Sequence, residues 1–274
     1  LGGTVTEPWT GDGPDPWLPD RIAYAEQAAA AEMAVRQQVW AELSGWLVTV
    51  SRSVLAAVRP DPIAVYSQQP AWTAAVNRIV SGTITDTIGT AYQTMLGDGY
   101  RFESRPMVVD HLAQVTNRMV RTPDQVFDLV ASEVATGAEL GESIPTIANR
   151  VEDVLDATHT ERWPNRATVV ARTETMGALN AGRTDAFVAV AEETGDEFEQ
   201  VWLSTIDRRT RRTHRAADGQ RVPLGQPFLV GGASLRYPGD PLGPGKECIQ
   251  CRCSSLLVEP GETLDLSNRQ FRMG

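Results

Sequence analysis

The sequence is short of cysteine, of long apolar runs and of positive charge, and each shortage excludes something. Only three cysteines occur in 274 residues, all within six positions of one another. An odd, clustered set does not build the disulfide framework of a small secreted protein, so a reducing cytosol is the expected compartment. No run of 18 apolar residues is present, which argues against a transmembrane helix. The start, Leu1-Gly2-Gly3, lacks an initiator methionine and the charged-plus-apolar pattern of a signal peptide, and reads as a trimmed N-terminus. Lysine and arginine total 25 against 35 acidic residues, for a net charge of −10 and a pI near 4.9. The chain as a whole is therefore not built to coat a phosphate backbone, although a local basic run exists at Arg208 to Arg215.

What is present is ample apolar material, 42% of residues, in a chain longer than the usual single domain. Residues 1–20 hold Pro8, Pro14, Pro16 and Pro19 among four glycines, with Trp9 and Trp17, and read as an extended docking arm. Residues 21–157 read as a helical domain. Asp20 is the expected cap of a first helix, with Met33, Trp40, Leu43, Leu47, Val50, Val54 and Val58 at helical spacing, ending by Pro60. A second helix is predicted from about Pro70 to Leu96, with Trp72, Val76, Ile79, Val80, Ile84, Ile88, Tyr92 and Met95 on one face. The breaker Gly97-Asp98-Gly99 stops it.

Pro106–Arg121 is a third candidate helix. Thr122-Pro123-Asp124-Gln125 reads as a capping box opening a fourth, to about Thr136, and Ser143 caps a fifth, Pro145–Leu155. An antiparallel helical assembly is the simplest architecture for this half. Single His111 and His159 are expected at the surface or at caps.

Asn165 is the expected cap of a long helix from Arg166 to about Glu193. Its Arg172 and Glu174, two apart, do not face one another. They lie either on a solvated face or, half-buried, tie the helix to the loops behind it. Glu197–Ser204 alternates as a strand, with Phe198 and Trp202 on one face and Val201 and Leu203 on the other. A short helix is expected from Arg208 to Ala217 with Asp207 as its cap, then a hairpin turn at Asp218-Gly219 and a short strand at Pro227–Val230. The fold class expected is α+β: an N-terminal antiparallel helical region, then a small α+β domain with one long helix, short strands and a Cys/His-containing loop region. Its span is 158–257, followed by a loop-like tail, 258–274.

Cys248, Cys251 and Cys253 form C-x2-C-x-C, and His214 is the nearest histidine in sequence. Three thiolates and an imidazole are a four-ligand set for structural zinc. A metal-free knot of buried thiols accounts for the same residues, and a Cys248–Cys251 disulfide is a lesser option. Two enzyme readings use the same stretch. In one, Asp207, His214 and Cys251 form a cysteine hydrolase constellation. In the other, a metal-dependent nuclease uses His214 as base and the arginine run on DNA. Neither has a second acidic metal ligand at diagnostic spacing, and no complete catalytic constellation is found.

These residues resemble the phage head morphogenesis family typified by the F protein of phage Mu. The resemblance covers about the last 110 residues, the reach of one small domain. It rests on Arg172 and Glu174 in Ala171–Glu174, Asn180 with Gly182-Arg183, Trp202, Asp207 with Arg209–Arg211 and His214, Asp218-Gly219, Pro238–Pro241, and Cys251-Arg252-Cys253. It implies a non-enzymatic minor capsid protein of a tailed bacteriophage, placed in the virion near the portal and assembled in the host cytoplasm. Its implied partners are the portal protein or major capsid protein, and packaged DNA, with no membrane. Some members of the family are fused to portals or toxin domains. No toxin domain is evident in this sequence.

Overall fold

The computed structural model describes residues 18–55, 69–97, 105–121, 124–157, 163–205 and 207–264. The arm with Trp9 and Trp17, the Pro60–Pro62 turn, Asp98-Gly99, Thr122-Pro123, His159 and the tail beyond 264 lie outside them. Helices dominate, with short antiparallel strands near the C-terminal end of the described residues, so the class is α+β.

The helices are α1 (Leu18–Leu55), α2 (Gln69–Ile79), α3 (Thr85–Leu96), α4 (Pro106–Val120), α5 (Asp124–Glu139), α6 (Ile144–Ala157) and α7 (Trp163–Thr194). Asp20 lies inside α1 rather than capping it. The described buried stripe of α1 is Ala28, Val35 and Val39, whereas Met33 is exposed. Met33 thus departs from the expected stripe and Trp40 is half-buried, while the side chains of Leu43, Leu47, Val50 and Val54, and all of Val58, lie outside what is described. The next helical stretch is borne out nearly residue for residue. Trp72, Val76, Ile79, Val80, Ile84, Ile88 and Tyr92 are buried and only Met95 is exposed. One turn, Val80–Ile84, is a π-helix joining α2 to α3. Such a turn takes in one extra residue, which the threefold and fourfold spacing does not reveal.

Two compact units divide the chain. One comprises Leu1–Glu32, Asp86–His111 and Thr173–Gly274; the other comprises Met33–Thr85 and Leu112–Arg172. In the second unit Trp72 Nε1 donates to the Met119 carbonyl at 2.9 Å, which satisfies the indole while burying its ring. Ser143 caps α6 as expected, its Oγ accepting from the Thr146 N–H at 3.4 Å. Helix α5 runs to Glu139, past the expected end near Thr136.

In the first unit the part of α7 from Thr173 onward is the spine. The helix begins at Trp163, so Asn165 is inside it and not its cap. Every residue from Thr173 to Phe187 is buried, including Glu174, Asn180, Arg183 and Asp185. The solvated-face reading of these charges is therefore wrong for Glu174. Polar side chains on a buried helix are retained where they have partners, and here several serve the loops that follow. At Gly182 a Cβ would lie 2.5 Å from the Ile88 carbonyl oxygen, so α3 and α7 meet backbone to backbone at a residue without a side chain.

Gly195 ends α7 with φ +74°. Strand β1 (Glu199–Leu203) is the centre of a three-stranded antiparallel sheet, between β2 (Arg221–Pro223) and β5 (Ser254–Val258). Its register pairs Gln200 with Val222 and Leu257, and Trp202 with Ser255. Strands β3 (Phe228–Val230) and β4 (Ala233–Leu235) form a separate hairpin. The two faces of β1 divide as its alternation predicts. Val201 and Leu203 pack with Val258, while Trp202 joins Phe228, Val230, Leu235 and all three cysteines in the other core.

Candidate metal centre

His214 projects from α8 (Arg212–Ala217), a six-residue helix that starts later than expected. Asp207 does not cap it. The Asp207 carboxylate instead accepts from the Arg209 N–H at 2.8 Å and from Thr210 Oγ1 at 3.1 Å, which ties the loop ahead of α8 into a turn. Both of its oxygens also take the Arg252 guanidinium, at 2.6 and 2.8 Å. That bidentate partner, first among its causes, holds the Asp207 carboxyl well below the usual carboxylate range.

Cys251 and Cys253 follow α9 (Gly245–Cys248) on a segment that leads into β5. Alternate residues of a nearly extended chain point to opposite sides, so the two thiols face inward together while Arg252 faces Asp207. The backbone is held at several points. Asn180 Nδ2 donates to the Cys253 carbonyl and the Pro238 carbonyl, both at 2.9 Å. Thr205 Oγ1 donates to the Arg252 carbonyl at 2.6 Å, and the Gln250 N–H donates to Thr173 Oγ1 at 3.0 Å. Gln250 sits at φ +57°, the left-handed turn that swings the chain from α9 toward Cys251.

The outcome is a group of three ligand atoms, one each from His214, Cys251 and Cys253, all buried and within 4.8 Å of one another. His214 Nδ1 lies 3.3 Å from Cys253 Sγ and 3.7 Å from Cys251 Sγ. Ligand edges of a tetrahedral zinc with ordinary Zn–S and Zn–N bonds are roughly 3.5–3.8 Å, so the spacing fits such an ion. The thiols are paired chemically as well. A hydrogen bond between them drives Cys253 well below the ordinary thiol range, with His214 adding to the effect; it drives Cys251 well above, with burial adding. A cation that takes both thiols deprotonated would remove the penalty of burying their charge.

Cys248 is the correction to the expected four-ligand set. It is fully buried in the same core but does not join the three ligand atoms. It ends α9, whose turn directs it toward Gly243, where a Cβ would lie 2.6 Å from its Sγ. All three cysteines are free thiols, so the Cys248–Cys251 disulfide is not formed.

Glu247 was not singled out by its sequence. Its Oε2 lies 3.2 Å from His214 Nε2, on the side of the ring away from the sulfurs, and accepts from Thr213 Oγ1 at 2.8 Å. The pair is close in distance only, and Nε2 is a buried nitrogen without a hydrogen bond among the described residues. A carboxylate on the far nitrogen is how metal-binding histidines are oriented. Room for it comes from Gly231, at φ +58°, where a Cβ would lie 2.4 Å from Glu247 Oε1. A lone acidic residue in a Pro/Gly-rich stretch carries no signal of this; only its position next to Cys248 hinted at it.

The other motif residues act as structure. Trp202 stacks edge-on against His214 at 5.5 Å and Phe228 at 5.3 Å between centroids. Its Nε1 donates to Ser204 Oγ, which donates to the His214 carbonyl. Asp218 accepts the Ser204 N–H at 2.8 Å, and Gly219, at φ +77°, returns its N–H to the Trp202 carbonyl at 2.8 Å. Arg211 donates to the Ile249 carbonyl, joining α8 to α9. Arg183 lies over the Phe187 ring, and Arg172 is half-buried. Asp240, in Pro238–Pro241, accepts the Arg236 side chain at 2.9 and 2.7 Å. His111 is no surface residue: it is fully buried, with Nδ1 2.9 Å from the Tyr237 hydroxyl. The hydrolase constellation is not assembled, because Asp207 faces Arg252 and His214 faces Glu247 and both thiols.

Residues 128–256, just under half of the chain, match the family described as Phage Mu protein F like protein, which supports the resemblance to the Mu F-like head morphogenesis family. The matched span opens within α5 and takes in the whole metal centre. The minor head protein GP7 of Bacillus phage SPP1 is 27% identical over 140 residues, 50% of this chain and 42% of its own length. The NAD(+)--arginine ADP-ribosyltransferase EFV of Enterococcus faecalis (strain ATCC 700802 / V583) is 29% identical over 153 residues. That is 56% of this chain and 30% of the relative. The chain thus spans less than half the length of either curated relative. No solved structure matches.

Proposed function

We propose that this chain is a minor capsid protein of a tailed bacteriophage, carried in the virion near the portal. It binds the portal and inner capsid and acts in head assembly, DNA packaging or genome delivery. The observation that carries this is the family match over 128–256, supported by a relative named as a minor head protein. The fold is in keeping with a scaffold, since the motif side chains with partners hold loops to α7 and to one another. Co-expression with the portal and major capsid proteins of the same phage tests it. Co-purification, and incorporation into heads, is the expected result; failure with folded protein counts against the assignment.

Within that reading the metal centre is a structural zinc site. His214, Cys251 and Cys253 hold the ion, Glu247 orients His214, and water supplies the fourth position. When bound, zinc supplies a cross-link between α8 and the segment before β5.

A second reading has a specific observation behind it, the likeness to an ADP-ribosyltransferase. The aligned part is 30% of that enzyme, and we place it with the shared head-protein portion rather than with the enzyme's chemistry. Incubating the chain with labelled NAD and an arginine acceptor decides the point: transfer of label would make it an enzyme.

A further inference from the structure

We propose that Cys251 and Cys253 are a redox modification site: a peroxide oxidises them to a disulfide with each other, and in that state the chain no longer holds a metal ion. The metal half rests on the zinc site proposed above, whereas the disulfide rests on the two thiols alone.

The first observation is proximity. Both sulfurs belong to a group of ligand atoms within 4.8 Å of one another, and a hydrogen bond joins them. All three cysteines are free thiols. Alternate residues of a nearly extended chain have Cα atoms roughly 6.5 Å apart, within the upper end of the range that a disulfide spans. Turning the two side chains therefore brings the sulfurs together while Asn180 and Thr205 keep their hold on the backbone. Cys248 lies in the same core but outside this group, which makes the pairing specific.

The second observation is access. Both thiols are 2% exposed, yet Ile249 and Gln250, just before them, lie at the surface. Gln250 sits at φ +57°, where a residue with a side chain is seldom found, so the chain opens more readily at this turn than through the core. A molecule as small as a peroxide needs no wider opening.

The step balances. One thiol reduces the peroxide, becoming a sulfenic acid and releasing one water. The other sulfur then attacks it, the S–S bond forms, and the hydroxyl leaves with the remaining thiol proton as a second water. The two electrons lost by the thiols are gained by the peroxide. With an ion bound, two protons from solvent replace the thiol protons, and the ion departs because a disulfide offers it no thiolate. A dithiol restores both thiols by exchange and is itself left as a disulfide. A bond between residues two apart constrains the unfolded chain little, so it is a readily reduced latch and not a staple. The head-protein reading gives the latch an occasion, since a chain folded in a reducing cytoplasm is later carried outside it.

The test treats the full chain, both zinc-loaded and stripped by a chelator, with hydrogen peroxide. Remaining thiols are capped with iodoacetamide before trypsin, which cuts after Arg252 and so separates Cys251 from Cys253. The expected product is the peptide Glu247–Arg252 linked to the peptide that begins at Cys253, with fragmentation placing the cap on Cys248. In the zinc-loaded chain a chromogenic chelator should report stoichiometric release in step with the link, and dithiothreitol should undo the link. Cys248→Ser should form the same link, and Cys251→Ser should form none. The proposal is overturned if neither preparation links, if Cys248 is the main partner, or if the linked chain keeps its zinc. A link in a chain that never binds zinc upholds the redox site and removes the zinc reading, so the two failures are told apart.

Discussion

A histidine that holds a metal through Nδ1 carries its proton on Nε2, and a buried N–H needs an acceptor. In the proposed site Glu247, 3.2 Å from His214 Nε2, takes that role once the metal is bound, so its loss should be felt at the metal without any ligand being removed. Glu247→Gln should lower zinc affinity by about 10–100-fold in competition with a chromogenic chelator, the size typical of such partners. His214→Ala, Cys251→Ser and Cys253→Ser should each lose stoichiometric zinc by elemental analysis. Cys248→Ser should retain it, because Cys248 stands outside the three ligand atoms. Zinc lost only in Cys248→Ser, or absent from folded wild type, would sink the proposed site. Asn180 makes a different residue-scale case. Its Nδ2 serves two buried carbonyls at once. Asn180→Ala should cost about 1–3 kcal/mol in denaturant unfolding, the penalty for leaving buried acceptors unpaired.

At the scale of elements, α7 does work that its amphipathic pattern conceals. It is buried along a continuous stretch, so no polar stripe marks an outer face. Three short side chains on it or beside it set how closely other segments approach. Gly182 meets the Ile88 carbonyl, Gly177 meets Gly239, and Thr173 receives the Gln250 N–H. Gly182→Ala should therefore destabilise by about 1–3 kcal/mol although alanine is the better helix former. A rise in thermal midpoint would mean that α3 and α7 can separate freely. Strand β1 was legible from its alternation, and so was the division of its faces, because a period of two leaves little choice once Trp202 is known to be inside. The start of α8 was not legible. Asp207 has the chemistry of a cap, but a bidentate arginine competes for the same oxygens and wins.

For the whole molecule, pH separates opposing groups. Asp185 is buried against Arg105, and burial dominates, raising its carboxyl to about 6. A carboxyl raised above its unfolded value of about 3.9 binds more protons when folded, so its contribution grows as pH falls from about 7 to 5. Asp207 and Asp240 are depressed, Asp207 chiefly by Arg252, and Asp240 by Arg236 working against its burial. Their stabilisation is complete above about pH 4 and is lost as pH falls further. Thermal midpoints should thus rise slightly on mild acidification and then collapse. Asp185→Asn should abolish the rise and leave the collapse. A midpoint that falls steadily from neutral pH in wild type would contradict the Asp185 assignment.

Periodicity, turn chemistry and motif spacing by themselves determined the helix-rich class, the long α7, the strand at Trp202 and the cysteine–histidine cluster, and the ordered motif carried the resemblance to the head-protein family. They could do so because these depend on local spacing and on residue types that few folds use together. Only the tertiary structure decided which three of four ligands converge, that Glu247 stands behind His214, that Asp207 locks Arg252, and that His111 is buried. Each of these is a meeting of residues far apart in the chain, set by how α7, α8 and the segment before β5 pack. Local sequence carries no term for such meetings.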